Sequence, residues 1–211
     1  MTPSTRDNSV HIPNRNGPVA GILLAAGAST RMGSNKLLFE LGGQSVLRGA
    51  AQRAVVAGLA PVHVVLGHQA EPARQELDGL DCRVVLNRDY ELGITASLTA
   101  GLAALAPEVS AVVVMLADMP LVTASMISEL IARYRATTAP LVVSSYDGVH
   151  APPILYDRGL FAELRSMTGD SGCGRQVVKR HRSEAEELRW PSAALADIDV
   201  PADYARMRLQ D

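Results

Sequence analysis

Val19-Ala20-Gly21-Ile22-Leu23-Leu24-Ala25-Ala26-Gly27-Ala28-Ser29-Thr30-Arg31-Met32-Gly33-Ser34-Asn35-Lys36 runs from an unbroken apolar segment into a loop of small residues. The apolar part, Val19–Ala25, is continuous rather than alternating, so it predicts a strand buried on both faces. A loop of Gly, Ala and Ser lets the backbone approach a ligand closely and turn its N–H groups toward phosphate oxygens. Arg31 and Lys36 add two cations beside that loop, and the whole block describes a socket for a polyphosphate. It is not a P-loop, because no Gly-x-x-x-x-Gly-Lys-Ser/Thr is present. Nor is it the dinucleotide fingerprint, since the glycines stand at 27 and 33. An ordinary turn built from small residues would account for Gly27, but not for an Arg and a Lys in the same block.

Working outward, strand-like and helical patterns alternate. Ser45–Leu59 places Val46, Leu47, Ala50, Ala51, Ala54, Val55 and Leu59 on one helical stripe. Pro61–Gly67 and Cys82–Leu86 read as strands, with a short helix over Glu71–Leu80 between them. Thr95–Leu105 is a small-residue helix closed by Pro107. Ala111–Ala117 is the purest buried strand, and Thr123 caps a helix over Ala124–Arg135. Leu141–Ser145 is a further strand, and Pro152–Tyr156 reads as a strand that returns. Helices are expected over Arg158–Ser166, Gly172–His181 and Ala202–Leu209, with Asp197–Asp199 on a strand end. Such alternation implies right-handed crossovers and a mainly parallel sheet covered on both sides. Ligands of these sheets sit beyond the carboxyl ends of the strands, where the opening loop falls. No repeat or linker is visible, so residues 19–211 are expected to form one domain behind a flexible tail, 1–18.

Composition narrows the function. The chain has 211 residues, 47% of them hydrophobic, enough for a full globular core. Twenty basic residues against 22 acidic ones give a net charge of −2, so a surface that coats nucleic acid is not expected. At 4% aromatic residues, a stacking platform for single strands is not expected either. Cys82 and Cys173 lie far apart without a zinc-type spacing, which fits a reducing cytoplasm. The apolar runs are too short for a membrane span, and Met1 to Pro18 lacks the apolar core of a signal peptide.

Several other constellations carry chemistry. Leu116-Ala117-Asp118-Met119-Pro120 follows the most buried strand, so Asp118 projects into the same crevice as the opening loop. One carboxylate with phosphate oxygens and water suits Mg²⁺, whereas an Asx turn ahead of Thr123 is the structural alternative. Asn87 ends a strand, and Gly93 with Thr95 and Ser97 opens a helix that can meet a polar ligand edge or serve as a plain capped helix. Gly148–Leu155 forms a rigid proline-shaped wall in which His150 is more often a surface loop residue than a general acid. Gly169-Asp170-Ser171-Gly172-Cys173-Gly174-Arg175 is a second glycine-rich turn, with Arg175 available for an anion. Asp199 either approaches the same metal or caps the helix that begins near Pro201.

Leu24–Lys36 resembles the signature of nucleotidyltransferases that consume a nucleoside triphosphate and release pyrophosphate. With Asn87…Gly93…Ser97-Leu98, Leu116–Pro120, Pro152–Tyr156, Gly169–Arg175 and Asp197–Asp203, the chain from Leu24 to about Tyr204 resembles the branch that attaches a nucleotide to molybdopterin. The resemblance implies a three-layer α/β/α, Rossmann-like nucleotidyltransferase domain with a mainly parallel sheet. It implies Mg²⁺, with Mn²⁺ as a substitute, CTP and molybdopterin as substrates, and a client molybdoenzyme of the xanthine or aldehyde dehydrogenase type. Leu24-Ala25-Ala26-Gly27 is similar to the cytidylyltransferases, whereas guanylyltransferases carry Leu-Ala-Gly-Gly. Carried onto this sequence, catalytic roles fall on Arg31, Lys36 and Asp118, and metal ligation on Asp118 and Asp199. Nucleotide contacts fall on Leu24, Ala25, Ala26, Gly27, Arg31, Lys36, Gly67, Asn87, Gly93 and Ser97, and acceptor contacts on His150, Pro152, Asp170 and Arg175. The chain departs from the pattern at Ile94, at Ser171–Arg175 and at Val200, where family members commonly have Met, Lys-Gly-Ala-Arg and Thr. Three alternatives stand beside this expectation. They are GTP as donor, another small-molecule phosphate as the cytidylyl acceptor, and a non-catalytic chaperone that carries the cofactor.

Overall fold

Val19–Ala25 is the strand β1, buried along its whole length, and the rest of the chain is laid against it. The computed structural model describes residues 15–28, 35–169, 174–198 and 201–208. After β1 come β2 (Glu40–Leu41), β3 (Gln44–Ser45), α1 (Val46–Val56), β4 (Val62–Leu66), α2 (Ala70–Gln75), β5 (Arg83–Leu86) and α3 (Ile94–Ala103). Then follow β6 (Ala111–Leu116), α4 (Ala124–Ala136), β7 (Leu141–Tyr146), β8 (Val149–Asp157), α5 (Phe161–Ser166), α6 (Arg175–Arg180), β9 (Ala185–Trp190) and α7 (Pro201–Arg208).

Seven strands form one sheet in the order β5-β4-β1-β6-β8-β7-β9. All neighbours run parallel except at β8, which is antiparallel to both β6 and β7. The expected α/β architecture and mainly parallel sheet are therefore present, and the returning strand is β8. Alternate residues of β1 and β6 feed two separate cores. Leu23, Val113 and Met115 pack under α1 and α4, while Ile22, Val112 and Val114 pack under α3 and α5. A sheet covered on both sides explains why these strands are apolar at every position.

Local chemistry sets the boundaries. The Ser45 hydroxyl accepts from the Arg48 N–H at 3.1 Å and caps α1; Thr123 does the same for α4, accepting from Met126 N–H at 3.2 Å, as expected. Prolines 152 and 153 sit inside β8, where proline removes ladder donors. The strand accommodates them with a register shift against β7 between Val143 and Ser144. Hydroxyls stand in for the missing ladder: Ser144 donates to the Pro153 carbonyl at 2.6 Å and Tyr146 to the Pro152 carbonyl at 2.9 Å.

Some expectations are corrected. Asp197 lies not on a strand end but in irregular chain beyond a 3-10 turn, Ser192–Leu195. The strand of that region is β9, whose sequence Ala-Glu-Glu-Leu-Arg-Trp buries Leu188 and leaves its other side chains at least partly exposed. The helix expected over Arg158–Ser166 begins as a 3-10 turn, Arg158–Leu160, because the Asp157 carboxylate accepts from Gly159 N–H at 2.8 Å. Within the stretch expected to be a tail, Arg15 is held to the body. Its guanidinium lies 4.4 Å from the Tyr134 ring centre and donates to the Tyr134, Thr138 and Ala139 carbonyls.

Gly101 lets α3 lie close on the sheet, since a Cβ there would stand 2.8 Å from Ile22 Cγ2 and 3.1 Å from Val65 Cγ2. Gly101→Ala is expected to destabilise the protein by ~1–3 kcal/mol, the usual penalty for overpacking. Urea denaturation measures this directly, with a lower midpoint at unchanged slope as the expected result.

Candidate active site

The carboxyl ends of β1 and β6 lie side by side, because Leu24 pairs with Leu116 and the Ala117 N–H donates to the Leu24 carbonyl at 3.1 Å. The loops that follow therefore leave the sheet at one level. From the first comes Lys36, at the start of a 3-10 turn, Lys36–Leu38, whose buried Asn35 side chain accepts from Leu37 N–H at 3.2 Å. From the second comes Asp118. Lys36 Nζ and Asp118 Oδ2 meet at 2.6 Å, with side-chain exposures of 13% and 23%. Two of the three residues expected to carry catalysis are thus in contact, despite a separation of 82 positions. The third, Arg31, lies outside the described residues, as do Asp170 and Asp199.

Beside the pair, the opening loop splits into scaffold and open surface. Leu24, Ala25 and Ala26 have buried side chains, and the Ala26 carbonyl accepts from His68 N–H at 3.3 Å. Gly27 is exposed, and among the described residues nothing lies within 4 Å of a Cβ placed on it. Among the described residues, open space accordingly begins at Gly27 and not at the buried side chains of residues 24 to 26.

Asn87 and Ser97 are in contact. The buried Asn87 amide donates to the Ser97 hydroxyl at 3.0 Å, while its carbonyl oxygen accepts from Asp89 N–H at 3.0 Å. Both side chains are held in fixed orientations at the ends of β5 and α3, a preorganised polar edge. Gly93 opens α3 with a φ of 98°, a conformation that favours glycine. Gly67 has a packing role that the sequence did not disclose. A Cβ there would stand 2.5 Å from Tyr90 Cβ, so Tyr90 covers this strand end. Tyr90 also faces His68, their ring centres 6.1 Å apart. Only the long separation 68 to 90 makes this pair, so no local motif signals it.

Of the expected acceptor residues, His150 and Pro152 stand in the first half of β8, where His150 pairs with Ser145 near the end of β7. His150 Nε2 lies 3.1 Å from Glu187 Oε2, and hydrogen bonds to His150 and Arg189 hold the Glu187 carboxyl below its ordinary range. Pro152 is buried in β8 and serves through its carbonyl. Arg175 is exposed at the first position of α6. Gly174 before it has a φ of 86° and lies against the Tyr156 hydroxyl, leaving no room for a Cβ.

The helix that carries Arg175 is clamped at its other end. His181 bonds Glu163 of α5 at 2.8 Å and Glu184 at 3.1 Å. The hydrogen bond to Glu163 raises the His181 pKa above its ordinary 6.5, against the lowering effect of burial. A raised folded-state value means that the stabilisation is complete below the unfolded pKa and fades as pH rises through the folded one. His181→Gln is therefore expected to lower the melting temperature more at about pH 6 than at about pH 9. A gap between the two proteins that is the same at both pH values would assign His181 to packing alone.

The donor set suits a divalent ion. Asp118 offers a partly exposed hard carboxylate beside a cation and a loop open to phosphate, and Mg²⁺ accepts one carboxylate with phosphate oxygens and water. Among the described residues no group of three or more metal-ligating side chains is present. None of the described helices is long and apolar enough to cross a membrane.

Comparison with known proteins shows the family and the fold. Residues 21–185 match a family model described as a MobA-like NTP transferase domain. The purine catabolism protein PucB of Bacillus subtilis (strain 168) is 29% identical over 199 residues, covering 89% of this chain and 95% of PucB. The nicotine blue oxidoreductase of Paenarthrobacter nicotinovorans is 30% identical over 163 residues, covering 73% of this chain and 78% of that protein. The bifunctional protein GlmU of Anaeromyxobacter dehalogenans (strain 2CP-C) is 35% identical over 195 residues, 90% of this chain, but the chain spans only 38% of its length. Among solved structures, Rv0371c of Mycobacterium tuberculosis H37Rv superposes with a TM-score of 0.78 at 30% identity, covering 91% of this chain and 98% of that one. A second structure of Rv0371c, at 28% identity and a TM-score of 0.73 over 92% of this chain and all of that one, is a complex with manganese.

Proposed function

The chain belongs to the MobA-like NTP transferase family, and from that premise we propose that it transfers CMP from CTP to molybdopterin in a Mg²⁺-dependent reaction that releases pyrophosphate. The observation that carries the reading is the Lys36–Asp118 contact at 2.6 Å beside a loop that is open above Gly27. A cation and a carboxylate held together at the ends of β1 and β6 are what a metal–triphosphate needs. Mn²⁺ is the expected substitute, in keeping with the manganese complex of Rv0371c.

In the proposed reaction a phosphate oxygen of the acceptor attacks the α-phosphorus of CTP, and the bond to the β-phosphate breaks. Such a transfer needs positioning and charge neutralisation more than covalent help. Lys36 turns from Asp118 to the phosphates and neutralises charge as pyrophosphate leaves, with Arg31 assigned the same role. Asp118, joined by Asp199, would hold the metal, which would supply shielding of the phosphate charge when bound. Leu24, Ala25 and Ala26 support the loop from the core, and Gly27 with the following backbone cradles the phosphates. The Asn87–Ser97 pair at the start of α3 reads the cytosine edge, with Gly67 and Gly93 shaping the pocket. His150, Pro152, Asp170 and Arg175 receive the pterin. We assign the chain to the cytoplasm, with a molybdoenzyme of the xanthine or aldehyde dehydrogenase type as client. PucB, whose name places it in purine catabolism, is a relative in keeping with such a client.

The deciding experiment is pyrophosphate release on mixing the protein with CTP, Mg²⁺ and molybdenum cofactor. Asp118→Ala is expected to abolish turnover while the variant still folds. Lys36→Ala is expected to weaken transition-state stabilisation by at least ~2 kcal/mol, mainly in kcat, as when a charged donor to a developing oxyanion is removed. Near-normal activity of Asp118→Ala would refute the metal assignment, and a wild-type preference for GTP over CTP would overturn the cytidylyl assignment. Binding of the pterin without pyrophosphate release would make the protein a carrier.

A further inference from the structure

The 3-10 turn that bears Lys36 runs on directly into Phe39 and Glu40, and the C-terminal helix is attached at those two residues. The Tyr204 hydroxyl of α7 donates to the Glu40 carbonyl at 2.6 Å. The Tyr204 and Phe39 rings lie 4.9 Å apart between centres, tilted by 54°, within the range of a favourable aromatic pair. Phe39 is in turn tied to the lysine, because its N–H donates to the Lys36 carbonyl at 3.3 Å. The chain just before α7 is fixed to the other half of the site. The fully buried Ile198 donates its N–H to the Asp118 carbonyl at 3.0 Å. The C-terminal part of the molecule therefore touches the Lys36 segment and the Asp118 segment independently, 164 positions away from the first of them.

Covering the core does not require both of these attachments. Met207 and Ile198 already bury against the cluster under α1 and α4. Tyr204 also packs against that cluster, and it adds a directed hydrogen bond to backbone and a ring contact at the base of the lysine. We propose that Tyr204 is a positioning residue for Lys36, holding the lysine's backbone so that its ammonium group is delivered to the site at the level of Asp118. The proposal rests on the polyphosphate-binding role of Lys36 given above. A displacement of about 1 Å in a positioned group can reduce turnover by about a hundredfold, so a contact three residues away can govern the lysine's effect.

The test is a double-variant cycle on the full chain: wild type, Tyr204→Ala, Lys36→Ala and the two combined, with Tyr204→Phe as the conservative control. One readout is the affinity for Mg²⁺–tripolyphosphate by calorimetry, which needs neither a base nor an acceptor. The other is kcat and KM for CTP in pyrophosphate release. Tyr204→Ala is expected to weaken tripolyphosphate binding about tenfold and to lower kcat more than it raises KM. Neither loss should deepen when Lys36 is already Ala, because residues that act through one another are not additive. Tyr204→Phe, which keeps the ring against Phe39, should recover most of the binding.

Additive losses in the combined variant would overturn the proposal. So would wild-type binding by Tyr204→Ala, or a loss that equals the fraction of unfolded protein seen by circular dichroism. If the wild type binds tripolyphosphate but turns over no CTP, the nucleotide assignment fails and the binding cycle alone decides the role of Tyr204. A wild type that binds no tripolyphosphate would remove the role of Lys36 and the proposal with it.

Discussion

The pairing of β1 with β6 is the constraint from which the site follows. The two strands run parallel in a single register, from Val19 opposite Ala111 to Leu24 opposite Leu116. A register slip of one residue would send every side chain of one strand to the wrong core. Because both cores are built of buried apolar side chains, the register is fixed, and with it the level at which the two following loops depart. Lys36 and Asp118 meet for that reason and not through any attraction strong enough to organise the chain. For an ion pair as buried as this one, the cost of removing both charges from water offsets much of their attraction, so it contributes little by itself to folding.

The same principle places the nucleotide edge. α3 sits low on β1 and β4 because Gly101 presents no side chain to Ile22 and Val65. That depth brings Ser97 down to Asn87 at the end of β5. Glycines thus serve two purposes here. At Gly27 the missing side chain leaves open space, whereas at Gly67, Gly101 and Gly174 it is filled by Tyr90, Ile22 and Tyr156. A glycine in the sequence announces that a Cβ is not tolerated or not present; it does not say whether ligand or protein takes its place.

Much of this was legible in the sequence where one local signal was strong. The strands β1 and β6 declare themselves by unbroken apolar runs, α4 by its Thr123 cap, and Lys36 and Asp118 by lying in the chain that follows those two strands. The site's pairing of Lys36 with Asp118 follows from topology once the strands are known to be neighbours. What escaped was encoded weakly or over long separations. β9 is an edge strand with Leu188 as its buried residue, so its apolar pattern is nearly absent. The hairpin of β2 and β3 has two residues per strand, too few for any periodicity. Gly67 against Tyr90, and Tyr204 against Phe39 and Glu40, depend on how distant segments pack, and no spacing in the sequence foreshadows either contact.

The ion pair also shapes how ligand would enter, on the function proposed here. Lys36 and Asp118 are mostly buried and neutralise one another. Drawing the lysine alone to a phosphate would part the carboxylate from the cation that it meets, and occupying the carboxylate alone would part the ammonium from that carboxylate. Separating such a pair is unfavourable unless both charges find new partners. A metal–triphosphate supplies both at once, the cation for Asp118 and the phosphates for Lys36. Each component therefore assists the other by the energy of the unpaired charge that it prevents, which is a thermodynamic coupling between metal and nucleotide and acts equally in both directions. The fold's contribution is to keep the two charges at one level on adjacent strands, so that exchanging partners requires only side-chain movement and leaves the sheet unchanged.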